Sequence, residues 1–179
     1  LLQPVLFLGA MGFGLGSLID ENRGSVDGLP YLTFIAPGLL ASSAMLVGAG
    51  EALWPLMARL KWLGSYQAMV ATPITPGDAF RGWVLWIGLR TSIAATAFLV
   101  VAAVVGAVPS PAGVLAVPAA VLCAVAFAAP LGAYSAGQDT DITFTIVMRL
   151  GVIPLFLFSG TFFPVEQLPD VMARPATGI

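Results

Sequence analysis

From Thr91 to Gln138 the chain carries no acidic or basic residue, and that gap excludes most ways of folding it. A helix crosses about 30 Å of hydrocarbon with roughly 20 mostly apolar residues, so the gap is too long for one crossing. The segment Val108-Pro109-Ser110-Pro111-Ala112-Gly113 supplies a turn that splits it in two. The whole composition agrees. Of 179 residues, 59% are apolar and 9% charged, whereas soluble domains carry about a quarter charged residues. The seven basic and nine acidic residues leave a net charge of −2, too little clustered positive charge to hold nucleic acid. With no His and one Cys, His-based catalysis, most zinc sites and internal disulfides drop out. The long apolar runs lack the short alternating segments of a barrel, which leaves an all-α, polytopic helical membrane protein.

Five spans can be read along the chain. The first is Leu1 to Ile19, followed by a polar loop over 20–30 that holds Asp20, Glu21, Arg23 and Asp27. The second runs from about Tyr31 to Ala58, the third from Trp83 to Ala107, the fourth from Val114 to Gly137, and the fifth from Ile142 to about Phe163. The chain starts on Leu with a span under way, so it is expected to be a piece of a longer protein. Loop 59–82 carries Arg59, Lys61 and Arg81, and the positive-inside rule assigns it to the cytosol. Loop 20–30 and the turn at Val108 are then external, in a multi-pass protein of the cell membrane. The Asp139 loop falls on the cytosolic side by alternation alone.

Few residues are equipped for chemistry. The one lysine, Lys61, lies between Leu60 and Trp62, so no phosphate-cradling loop ending in Lys-Ser or Lys-Thr is present. Gly12 and Gly16 form a small-xxx-small pair suited to close helix packing, or else a flexible lining of a pathway. Within loop 59–82, Ser65 is placed to cap a short helix that Pro73 ends. There Tyr66, Met69 and Val70 fall on one apolar face, which must rest on a partner or on lipid headgroups. Asp78 is read as the cap of the third span.

Three ionisable residues fall within spans: Glu51, Arg90 and Arg149. At 1.5 Å per residue, each lies about 10–12 Å from the cytosolic end of its span, so all three share a depth. A charge there costs at least about 2.5–3.5 kcal/mol and calls for a partner or a wet path. Glu51 and Arg90, on consecutive antiparallel spans, can pair, and Arg149 can share that pair. The alternatives are arginines that snorkel to the interface, or contact with substrate. At the end of the chain, Ser159, Gly160, Phe163 and Pro164, then Leu168 and Pro169, suggest a short re-entrant or interfacial helix at the outer face, with an ordinary loop as the alternative.

Four stretches, in order, resemble one family: Phe34-Ile35-Ala36-Pro37-Gly38-Leu39-Leu40-Ala41-Ser42-Ser43-Ala44-Met45, then Tyr66-Gln67-Ala68-Met69-Val70-Ala71-Thr72-Pro73. The others are Asp78 through Gly82 to Trp86 and Arg90, and the Ser159-Gly160…Pro164…Leu168-Pro169 ending. Over almost all its length the chain resembles ABC-2 transporter membrane subunits, and most closely the nodulation-factor (lipooligosaccharide) and daunorubicin-type exporter permeases. That resemblance implies one ABC-2 transmembrane domain over 1–179, with five of six spans present and the cytosolic N-terminus and last span missing. It implies that Tyr66, Gln67, Met69, Val70, Thr72 and Pro73 belong to a coupling helix seated in a separate ATPase subunit. ATP and Mg would be bound there, with no cofactor and no enzymatic site in this chain. The remaining implied partners are a second permease, identical or related, and membrane lipid. The implied activity is ATP-driven export of a drug, polyketide, lipid or lipooligosaccharide. An ion-coupled carrier without an ATPase is the rival class, though Glu51 is the lone acid within a span and no internal repeat stands out.

Overall fold

The computed structural model describes residues 31–157 except Pro109, together with Leu6, Gly9 and Ala10. The first span, the loop 20–30, the pair Gly12 and Gly16, and the ending from Ser159 through Gly160, Phe163, Pro164 and Leu168 to Pro169 lie outside the described residues. Three helical stretches are long and apolar enough to cross a bilayer: Thr33–Trp62, Pro76–Val104 and Pro111–Ala136. A shorter apolar helical stretch covers Ile142–Leu157. The described residues form a helical bundle, as the absence of charge requires.

The crossing that begins at Tyr31 is not one regular helix. Helix α1, Tyr31–Ala52, stops at Leu53, whose φ of −93° and ψ of −95° are not helical, and α2, Trp54–Met57, follows it. The cause is local, because Pro55 has no N–H to give to the carbonyl of Glu51 four residues back. The Leu53 carbonyl accepts twice at the break, from Met57 N–H at 3.1 Å and from Ser135 Oγ at 3.1 Å, with Leu53 and Ser135 both fully buried. A π-helical turn, Ala58–Trp62, carries the chain on to α3, Ser65–Val70.

Helix α3 is capped differently from the sequence reading. Gly64 is its N-cap, in the left-handed region at φ 63°, and Ser65 is already helical. Helix α4, Pro76–Val104, also starts earlier than expected. Its cap is Thr75, with Asp78 as the reciprocal member of a capping box and Pro76 at the first turn. Asp78 therefore supports the cap rather than being it. After a 3-10 turn, Pro111–Leu115, helix α5 covers Ala116–Ala136. The last stretch is α6, Ile142–Ile146, a π-helical segment, Val147–Val152, and α7, Ile153–Leu157.

Helix α1 packs most extensively on α5, and α5 in turn on α4. The face of α5 turned inward is Ala120, Ala124, Ala128, Gly132 and Ser135, a stripe of small residues. Opposite it, a Cβ on Gly48 would collide with the Ala124 carbonyl, so the two backbones touch there. Lipid tails give helices no hydrophobic reason to associate, so close van der Waals contact between small residues must hold this pair. The inward face of α4 is Trp83, Ile87, Thr91, Ala95, Phe98 and Ala102, spaced at three and four. Its other face, with Leu85, Leu89, Ile93, Val100 and Val104, is exposed and fits contact with lipid.

Candidate functional site

Glu51 and Arg90 meet between α1 and α4, where Arg90 Nη1 donates to Glu51 Oε1. The Glu51 side chain keeps 11% exposure and the Arg90 side chain 52%. The carboxylate is thus enclosed, while much of the guanidinium stays open. Arg149 stands apart: it is exposed, in the π-helical Val147–Val152, and has no ion pair among the described residues. The expected sharing of the pair is not seen, since the ion pair to Glu51 among the described residues is that of Arg90.

Above the pair, between α1 and α4, lies a cavity of about 360 Å³ lined by Leu39, Val47, Gly50, Thr91, Ala94 and Phe156 among others. The two charged residues line it as well. Thr91 is buried beside them, and its hydroxyl has no hydrogen-bond partner. Nothing in the sequence singled Thr91 out, since a threonine in a span normally bonds to its own helix.

The second region is at the foot of the bundle. Lys61 Nζ pairs with Asp139 Oδ1 at 2.9 Å, which puts the loop after α2 and the loop between α5 and α6 at the same end. This cation holds the Asp139 carboxyl below its ordinary range. Helix α3 is fastened here by Gln67, whose Nε2 donates to the Leu60 carbonyl. Thr72 Oγ1 donates to the Met69 carbonyl at 2.6 Å and closes the turn that carries Pro73. The three apolar residues of α3 do not act alike. Tyr66 is half-buried against the bundle, whereas Met69 and Val70 are 42% and 47% exposed. A second cavity, about 440 Å³, separates α3 from the bundle and is lined by Tyr66, Val70, Phe80, Trp83, Gly132 and Ala136 among others. Trp62, Leu63, Ile74 and Phe80 are exposed at the same end, so an apolar surface surrounds α3. Among the described residues no group of His, Cys, Asp and Glu could hold a metal ion.

The family model described as "ABC-2 type transporter" matches residues 1–175. The chain belongs to the ABC-2 type transporter family. It is 34% identical over 174 residues to nodulation protein J of Sinorhizobium fredii, covering 97% of this chain and 65% of that protein. To nodulation protein J of Rhizobium leguminosarum bv. viciae it is 32% identical, covering 94% of this chain and 64% of the relative. To that of Rhizobium meliloti the figures are 32%, 94% and 63%. The chain therefore spans a little under two thirds of the length of these relatives. No solved structure matches it. Membership makes this ABC-2 domain a membrane component of a transporter.

Proposed function

We propose that the chain is the membrane-spanning part of an export permease driven by a separate ATPase. The observation that carries this reading is the family match over 1–175, which includes a short helix between two spans with exposed apolar residues. Helix α3 docks the ATPase through Met69 and Val70, with Tyr66 as the anchor that ties α3 to its own bundle. Gln67, Thr72 and Pro73 fix the geometry of α3 rather than contact the partner. Loop 59–82 is cytosolic, and by the Lys61–Asp139 pair the Asp139 loop is too. Two permeases, identical or related, face each other in the membrane. Nucleotide-driven closure of the ATPases shifts them between two arrangements, which requires the loaded ATPase to bind the two arrangements with different affinity. The cargo is amphipathic or lipid-like, matching the apolar spans. The resemblance to nodulation-factor exporter permeases supports the finer reading that it is a lipooligosaccharide.

Met69→Asp tests the docking assignment. It places a charge on the exposed face of α3 and should leave the permease in the membrane while abolishing co-purification of the ATPase. Co-purification at the wild-type level, with normal stimulation of hydrolysis by substrate, would contradict the role given to α3.

A further inference from the structure

The cavity between α1 and α4 has a polarity that the export reading does not use. Glu51, Arg90 and Thr91 stand at one end. From Glu51 back to Leu39 the groove runs about 18 Å at the rise of a helix. Along that length it is lined by Leu40, Leu46, Val47 and Ala95. Ser43, the one other polar residue among the described lining residues, already donates its hydroxyl to the Leu40 carbonyl at 2.8 Å. Gly50 has open space where a Cβ would be, which widens the groove next to the charges. A volume of about 360 Å³ falls within the roughly 300–1,000 Å³ of small-molecule pockets.

The charged end has unused binding capacity. A guanidinium offers five N–H groups, and the bond to Glu51 takes one of those on Arg90. Among the described residues nothing else accepts from the remainder, and half of the side chain is open to receive an anion. Thr91, 2% exposed, is one of the lining residues, and its buried hydroxyl has no partner among the described residues. A buried hydroxyl left unbonded is unfavourable, and an acceptor brought in by a ligand would satisfy it.

We propose that the α1–α4 groove binds one amphiphile with a single alkyl chain and an anionic head, the head on Arg90 and Thr91 and the chain along α1 towards Leu39. A phosphate or carboxylate suits this end because arginine binds such groups through paired N–H donors. Glu51 opposes an anion in its own direction, so it steers the head to the open edge of the guanidinium. A resident membrane lipid and a transported amphiphile share this chemistry. The site goes beyond the export reading, because occupancy requires neither ATP nor a partner subunit.

The test uses the full-length permease in nanodiscs of neutral lipid and a lysophosphatidate with a photoreactive group in its chain. Crosslinks should map to Leu39–Val47 and Ala94–Ala95. Unlabelled lysophosphatidate should compete, while monoacylglycerol of the same chain should need at least about tenfold more. Inorganic phosphate alone should not compete. Thr91→Val should weaken labelling several-fold. Arg90→Gln in a Glu51→Gln background, which leaves no stranded charge, should abolish the preference for the phosphate. Ala94→Phe fills the groove without touching a polar group and should abolish labelling, with the fold checked by unchanged thermal unfolding. Equal competition by the neutral lipid, competition by phosphate alone, or full labelling of a folded Ala94→Phe protein would each overturn the proposal. Addition of the ATPase and ATP separates the two sources: loss of the label marks cargo and retention marks a resident lipid, both on an occupied site.

Discussion

Helix α1 meets α5 and α4 in opposite ways. Against α5 it is closed, with Gly48 on the Ala124 backbone and a stripe of small residues along the contact. Against α4 it is open, with an ion pair, an unbonded hydroxyl and a cavity. In lipid the first kind of contact is adhesion and needs no polar group. The second keeps polar groups in hydrocarbon, which costs stability unless function uses them. The closely packed part of the described bundle is therefore α1 with α5, and the face of α1 proposed to bind a ligand is the one turned to α4.

The sharpest way to break this contrast is to enlarge Gly48. Gly48→Val sets two methyl groups against backbone that cannot move aside, and we expect a loss above about 3 kcal/mol. Thermal unfolding in detergent reads it. Gly50→Val, two residues on but facing the cavity, should be tolerated apart from the cost of a β-branched residue in a helix. Equal losses at the two glycines would remove the distinction between the faces.

The ion pair comes next. Breaking a fully buried pair costs about 3–5 kcal/mol, and the half-exposure of Arg90 lowers the expectation for Glu51→Gln or Arg90→Met to about 2–3 kcal/mol. The double variant should recover most of it. Recovery of stability without recovery of export would assign the pair to the substrate path or the conformational switch. Strictly additive losses would show that the two residues do not interact. A smaller effect is expected at the bend after α1: Ser135→Ala removes one of two bonds to the Leu53 carbonyl, which keeps the one from Met57 N–H, for about 0.5–1.5 kcal/mol in the same assay.

How much of this was legible in the sequence follows from the range of the forces involved. The absence of charge gave the spans, and the rise of a helix brought Glu51 and Arg90 to one level. The turn at Val108 to Gly113 was legible because its prolines act locally. The break at Leu53 was signalled by Pro55, which the length of the apolar run concealed. The Ala120, Ala124, Ala128 and Gly132 stripe was also legible as small residues every fourth position, the pattern noted at Gly12 and Gly16. The Lys61–Asp139 pair was not, because nothing local ties residues so far apart in sequence. Nor was the orphaned hydroxyl of Thr91, which depends on what α1 leaves unfilled. On α3, periodicity put Tyr66, Met69 and Val70 on one face, and only the position of the bundle separates the anchor from the exposed pair.

The smallest effect is expected at Asp139. Its carboxyl is held below its ordinary range by Lys61, so any contribution is present above that range and is lost as pH falls through the lowered value. The pair is exposed at Asp139 and screened by salt, so Asp139→Asn should leave thermal unfolding unchanged at neutral pH. A clear loss there would mean that the foot of the bundle is held as firmly as the α1–α5 contact.

The central claim is that this membrane domain works as a permease for a separate ATPase. The most direct measurement is movement of a fluorescent amphiphile across proteoliposomes holding the full-length permease, with and without its ATPase. The account predicts accumulation only when the ATPase and hydrolysable ATP are both present, unchanged when ion gradients are collapsed. Accumulation driven by an ion gradient in liposomes that lack the ATPase would contradict it.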